Sequence, residues 1–390
     1  MNKTFNNVNS MRLSEIPGAR PTRTLMVLER APGVPMDKFI DDATASITAE
    51  RDNALEAIEN RSGEDVVVAM LDGTEELTKT YDDALAKHDG LANMTTVWIR
   101  EGLFTKTGFY HGDLHAGNIM VPTAEDLRKG VPNGVTMIDF GNATKLTPEE
   151  QKNVIRVIAG AAGNDPGLFL KGLETLLSPE GKATLAAKRD EVTDIVTSVL
   201  GKGTGNDAGL RMTAVFKLLQ TKFSINVPPV ISNFQSSQER LSVAMESMLR
   251  TMTNAEVARL DVILAAARKD GFDVGEIGGG DMTPAQVFAQ KKDKALAYIN
   301  AKLEQELTDD VREKLEALKA KLDEADNHRP MSMMQCMVAV IKQNLLSALR
   351  ALGAGSSRTV TENLTNDGVI NADNNPAAAP KERRYVEIWP

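Results

Sequence analysis

His111-Gly112-Asp113-Leu114-His115-Ala116-Gly117-Asn118, answered further along by Ile138-Asp139-Phe140-Gly141, is the stretch on which the reading of this chain turns. Two of its four histidines fall within five residues. Between the two runs, Asn118-Ile119-Met120-Val121 and Val135-Thr136-Met137-Ile138 are short and apolar and bracket a Pro- and Gly-bearing loop, so a small hairpin is expected. The spacing supplies an Asp that can accept the proton of an attacking hydroxyl, an amide five positions on that can ligate a metal, and a second Asp at the end of the returning strand. Phosphoryl transfer needs that set. Hard carboxylate and amide oxygens suit Mg2+, which would bridge the phosphates of ATP.

Outward from this core the pattern is helical. Residues 36–104 show Ala-rich amphipathic stretches near 41–60, 65–87 and 94–104, which read as packing helices. Thr147-Pro148-Glu149-Glu150 is an N-cap followed by Pro and acids, and helices are expected from there to about Arg268. Glycine-rich breaks fall at 201–205 and 275–280. After the second, Thr283-Pro284 starts a helix to about Leu307 and Thr308-Asp309-Asp310 caps another through Ala325, a helical hairpin. In residues 331–352, Met331, Met334, Val338, Ile341, Leu345 and Leu349 share one helical face, a methionine-rich surface for core or partner packing. Upstream, residues 24–28 read as a buried strand stopped at Glu29 and followed by the turn Ala31-Pro32-Gly33-Val34-Pro35. The expected organisation is a flexible lead at 1–23, a main domain at 24–270, a helical extension at 271–352 and a flexible tail at 353–390.

Composition narrows the function classes. With 42% hydrophobic and 25% charged residues the chain is that of an ordinary folded protein, and 45 Lys and Arg against 54 Asp and Glu leave a formal charge of -9, which argues against nucleic acid as a partner. The one cysteine, Cys336, forms no intramolecular disulfide, and no Cys/His cluster has zinc spacing. No apolar run has the length of a signal core or a membrane span, so a cytoplasmic location is expected; the Asn-, Ser- and Thr-rich lead is also compatible with a secreted bacterial effector. Gly201-Lys202-Gly203-Thr204-Gly205 lacks the order of a phosphate loop and reads as a linker. His88 and His328 stand among polar residues and read as solvated.

The H-x-D-x-H-x-G-N run followed by IDFG resembles the catalytic core of the UbiB-type atypical kinases, related to aminoglycoside- and choline-kinase-like phosphotransferases. Residues 26–35 resemble that family's hinge strand, in which a Glu is followed four positions later by Gly and an apolar-Pro pair. Leu218-Leu219-Gln220 through Val227-Pro228-Pro229-Val230 to Asn233-Phe234 looks like its later helix–Pro–helix segment, so the resemblance covers about residues 24–252. It implies a mainly α fold: a protein-kinase-like C-terminal lobe with a small β-hairpin at the catalytic loop, followed by the appended helices.

Residue by residue, the resemblance makes Asp113 the catalytic aspartate, Asn118 and Asp139 the metal ligands, and His111 and His115 the histidines that order the loop. Glu29, Arg30 and Ala31 would offer backbone groups to adenine, with Gly141 beside the nucleotide; ATP and Mg2+ are the implied cofactors. Leu114 and Ala116 stand where the UbiB pattern has prolines, and Gly112 matches the small-molecule kinases. In such kinases a complete N-terminal lobe precedes the hinge, whereas about 25 residues precede it in this sequence. That lobe is therefore expected to be absent or supplied from elsewhere, with residues 29–31 and the surroundings of Asp139 open to solvent. The leading reading is ATP- and Mg2+-dependent phosphoryl transfer or ATP hydrolysis on an unidentified acceptor, whether small molecule, lipid precursor or protein. The alternative is a non-catalytic, kinase-derived interaction module that binds a protein through the methionine-rich helix.

Overall fold

The computed structural model describes residues 9–10, 31–131, 134–201, 208–278, 282–324, 331 and 333–344. In chain order the elements are β1 (Asn9–Ser10), β2 (Val34–Pro35), α1 (Met36–Glu59), α2 (Glu64–Leu103), β3 (Phe109–His111), β4 (Ile119–Val121), α3 (Ala124–Arg128), β5 (Thr136–Met137), β6 (Ala143–Lys145), α4 (Pro148–Ala162), α5 (Pro166–Leu176), α6 (Pro179–Ala187), α7 (Arg189–Leu200), α8 (Ala208–Phe223), α9 (Pro229–Lys269), α10 (Pro284–Leu303), α11 (Asp309–Glu324) and α12 (Met333–Gln343). The protein is mainly α, as the sequence pattern implies, and its described residues form two small sheets.

The chain forms two compact units. In the first, residues 89–246 join the chain up to Asp37 and helix α12. Its larger sheet has the order β1-β5-β4-β2, and β3 pairs antiparallel with β6 beside it. The expected hairpin is β4–β5, paired Ile119↔Met137 and Met120↔Thr136. One departure lies at the start: Asn9↔Thr136 and Ser10↔Met137 pair in parallel, so part of the stretch read as a structureless lead adds a strand to the sheet. Backbone pairing needs no apolar side chains, which is why a polar Asn-Ser pair carried no strand signal.

The helices follow the cap chemistry. At the head of α4, Thr147 Oγ1 accepts from Glu150 N and Glu150 Oε2 accepts from Thr147 N at 2.7 Å, with Pro148 in the first turn. Val154, Val157, Ile158 and Ala161 then line its buried face against α5. Where the sequence suggests separate stretches at 65–87 and 94–104, α2 is one helix of 40 residues. Gly90 interrupts the pattern but not the helix: a Cβ there would sit 3.3 Å from Val135 Cγ1, so the missing side chain lets α2 lie close to the strand pair. Within α2, His88 is buried, which corrects its reading as a solvated residue. On α12 the buried positions are Met333, Cys336, Met337 and Val340. This chain's own first unit therefore takes up a methionine face of that helix.

The second unit holds residues 38–88 with α10, α11 and the later part of α9. Ile47, Ile58, Met70, Leu77, Val262, Ile263, Ile299 and Leu315 are its core. Arg259 is buried among them, its guanidinium 5.4 Å from the Tyr81 ring, 3.3 Å from Thr78 Oγ1 and 3.6 Å from a Glu256 oxygen. The expected hairpin of helices is α10–α11. Lys302 bonds Asp270 at 2.7 Å and Tyr298 Oη donates to the same carboxylate at 2.5 Å, tying α10 to the end of α9. The expected strand at 24–28, the glycine run beyond Gly201, His328 and the tail lie outside the described residues.

Candidate active site

The hairpin register brings the motif residues together. Ile138 N donates to Asn118 O at 3.0 Å, one step beyond the β4–β5 ladder, so the chain reaches Asp139 directly beside Asn118. Asn118 ends a short 3-10 turn at Ala116–Asn118, and its buried side chain folds back to the start of the loop, Nδ2 donating to Asp113 O at 2.9 Å. A backbone carbonyl only accepts, so the amide nitrogen must face it and Oδ1 is turned away, free in orientation to ligate a cation. Asp113, Asn118 and the 138–139 turn are thereby linked by hydrogen bonds. Asp113 is partly exposed and Asp139 exposed.

His111 is the pin of the arrangement. It sits on β3 opposite Ala143 and is wholly buried. Nδ1 accepts from Asp113 N at 3.1 Å, which leaves the ring proton on Nε2, 2.9 Å from Ile138 O. One imidazole thus spans the loop that carries Asp113 and the turn that carries Asp139. Burial pushes its pKa below the usual histidine value, outweighing the Ile138 carbonyl and the Asp139 carboxylate, which favour the charged form. The backbone carbonyl of His111 is held from two sides, by Trp98 Nε1 at 3.0 Å and Ser237 Oγ at 3.2 Å. Trp98 stacks on Phe234 at 4.6 Å, and both rings meet Tyr110 edge-on. In a chain with 4% aromatics, three of them form the floor of this site.

Gly112 is required by close approach. Its N–H donates to Asn142 O at 2.8 Å, and a Cβ would come 2.5 Å from that same oxygen. Asn142 Nδ2 returns a bond to Gly112 O at 3.2 Å, closing the 111–118 loop against the 139–142 turn. Asp139 lies in the left-handed region at φ 56°, where a side chain costs roughly 1–3 kcal/mol unless the surroundings hold it. Gly141 N donates to its Oδ1 at 3.3 Å and holds it. His115 is exposed and caps the 3-10 turn, Nδ1 accepting from Gly117 N at 3.1 Å.

Among the sequence-derived site residues, Asp113, His111, His115, Asn118, Asp139 and Gly141 all fall on this loop and turn. Glu29 and Arg30 lie outside the described residues. Ala31 is buried, against the expectation of an open hinge, because the chain beyond it pairs Val34↔Val121 along β4. Two participants had no local signal: Ser237 and Arg240, the latter in an ion pair with Asp113 Oδ1. They belong to a polar run inside a long helix, and only the docking of α9 reveals them.

For a divalent ion, no group of three or more His, Cys, Asp or Glu gathers among the described residues. The donor set that fits is the Asn118 amide oxygen with the Asp139 carboxylate. Mg2+ suits such a pair, since it takes one or two protein oxygens and completes its shell with water and phosphate.

Among the described residues no helix is long and apolar enough to cross a membrane. No curated protein and no solved structure matches the chain at a significant level. Residues 1–169 do match the family model described as the ABC1 atypical kinase-like domain. The resemblance to UbiB-type kinases is borne out by that match, which takes in the 111–118 loop, the β4–β5 pair and the 139–142 turn: over this part the chain is similar to the ABC1 atypical kinase-like domain.

Proposed function

We propose that this site transfers, or hydrolyses, the terminal phosphoryl group of ATP with Mg2+. The observation that carries the reading is the double hydrogen bond of His111, which holds Asp113 and the 138–139 turn at a fixed spacing around the Asn118 amide. A structural turn has no need of a buried neutral imidazole whose two nitrogens each serve a different acidic segment. Bound Mg2+ and ATP would supply the activated phosphoryl group and neutralise its charge. Asp113 takes the proton from an acceptor hydroxyl or a water as its oxygen attacks. Asn118 Oδ1 and the Asp139 carboxylate would hold the ion, with His111 and His115 ordering the loop, and residues 29–31 would be the ones to offer backbone groups to the adenine.

Isothermal calorimetry and phosphate release on the full chain test this. Asp139 is exposed, so water screens its contacts, and a dissociation constant for Mg2+-ATP on the order of 0.1–1 mM is expected. Asp139→Asn should abolish Mg2+-dependent binding. Asp113→Asn should spare binding and remove turnover, since a base acts on the acceptor and not on the bound nucleotide. Metal-independent binding, or binding unchanged in Asp139→Asn, would place the nucleotide elsewhere; no binding at all would favour the interaction module.

A further inference from the structure

Helix α9 runs along the catalytic strand and loop in register with them. Tyr110 Oη donates to Val230 O at 3.2 Å, Phe234 packs between Trp98 and Tyr110, Ser237 Oγ donates to His111 O at 3.2 Å, and Arg240 pairs with Asp113 Oδ1. Positions 230, 234, 237 and 240 are spaced by four, three and three residues, so they follow one face of the helix with Arg240 at its edge. Their partners advance in step along the chain, from Tyr110 through His111 to Asp113. Phe234 and Ser237 are buried and fix the helix, while Arg240 is about half exposed. An ion pair this exposed adds little to stability. Its consequence is geometric: a carboxylate has two oxygens, and a guanidinium that commits one of them decides where the other points.

We propose that Arg240 is a positioning residue for the reaction: carried by α9, it holds Asp113 through Oδ1 so that Oδ2 meets the acceptor hydroxyl or water. This rests on the reading of Asp113 as the base. It adds a functional side chain from well beyond the residues 1–169 that match the kinase-like family. Arg240 does not touch nucleotide in this proposal, so its removal should separate turnover from binding.

The test compares the full-length wild type with Arg240→Gln, Arg240→Lys, Asp113→Asn and the double variant Asp113→Asn/Arg240→Gln, reading Mg2+-dependent phosphate release and Mg2+-ATP affinity. Arg240→Gln should lower kcat about 10- to 100-fold, as expected for a misplaced base, and leave the dissociation constant within about twofold. Arg240→Lys should recover part of the loss, because the charge returns without the planar fork. The double variant should be no slower than Asp113→Asn, since Arg240 acts only through Asp113. An unchanged kcat in Arg240→Gln, a double variant slowed by the full Arg240→Gln factor, or a parallel loss of nucleotide affinity would each overturn the proposal. Wild-type protein that binds and turns over no Mg2+-ATP would instead overturn the phosphotransfer reading. The pair itself is then read by thermal unfolding: non-additive midpoint shifts in the same variants keep the ion pair as a structural tie without the positioning role, and additive shifts remove both.

Discussion

At His111 the hydrogen-bond partners decide the protonation state, and the protonation state has a consequence for stability. The folded ring is neutral because Nδ1 is occupied by Asp113 N and burial disfavours the charge. In the unfolded chain the same ring titrates near the ordinary value of about 6.5. Between that value and the lower folded pKa the unfolded state binds more protons, so stability is full above about pH 6.5, falls as the pH drops through that window, and levels off below the folded value. The thermal midpoint of wild type should therefore drop more between pH 7 and pH 5.5 than that of His111→Gln, whose amide keeps a donor near Ile138 O but does not titrate. An equal drop in both would show that the ring is not held neutral. As site candidates, His111, Asp113 and Asn118 were legible at this scale because each lies in one short run whose spacing has chemical meaning. Arg240 was not, since a charged residue in a polar helical stretch looks like any solvated face until its partner 127 positions away is known.

The elements differ in how much they depend on local signals. The head of α4 is a local device, two reciprocal hydrogen bonds between Thr147 and Glu150, and it was readable from four consecutive residues. Thr147→Ala should cost about 1 kcal/mol in urea unfolding. The docking of α9 is the opposite case, resting on a buried Phe234 that touches aromatics from α2 and β3. Phe234→Ala should cost roughly 3–5 kcal/mol, and it should also lower nucleotide turnover by freeing the helix face that carries Ser237 and Arg240. A loss for Phe234→Ala no larger than that for Thr147→Ala would mean that α9 is not anchored through this ring. Likewise β1 and the continuity of α2 escaped the sequence pattern. A two-residue strand is defined by its partner, and a helix crosses Gly90 when packing against Val135 outweighs the roughly 1 kcal/mol that glycine costs.

At the scale of the whole molecule, the first unit is assembled from segments far apart in the chain, and α12 is the most distant of them. The amphipathic character of residues 331–352 was plain in the sequence, but which partner covers it depends on tertiary structure, and positions 333, 336, 337 and 340 turn out to be buried by this chain itself. Cys336 reports on that docking. Its Sγ lies 3.7 Å from Ala92 O of α2, and burial pushes the thiol pKa up to about 12. At pH 8 an exposed thiol is ionised to about one part in four, whereas one with a pKa near 12 is ionised to about one part in 10,000. The native protein should therefore react with a disulfide reagent such as Ellman's at least about a hundredfold more slowly than the urea-unfolded chain. The rate should climb in sub-denaturing urea as α12 opens from the rest of its unit. Labelling of the native chain at the unfolded rate would mean that α12 is undocked, and its methionine face would then be available for a partner.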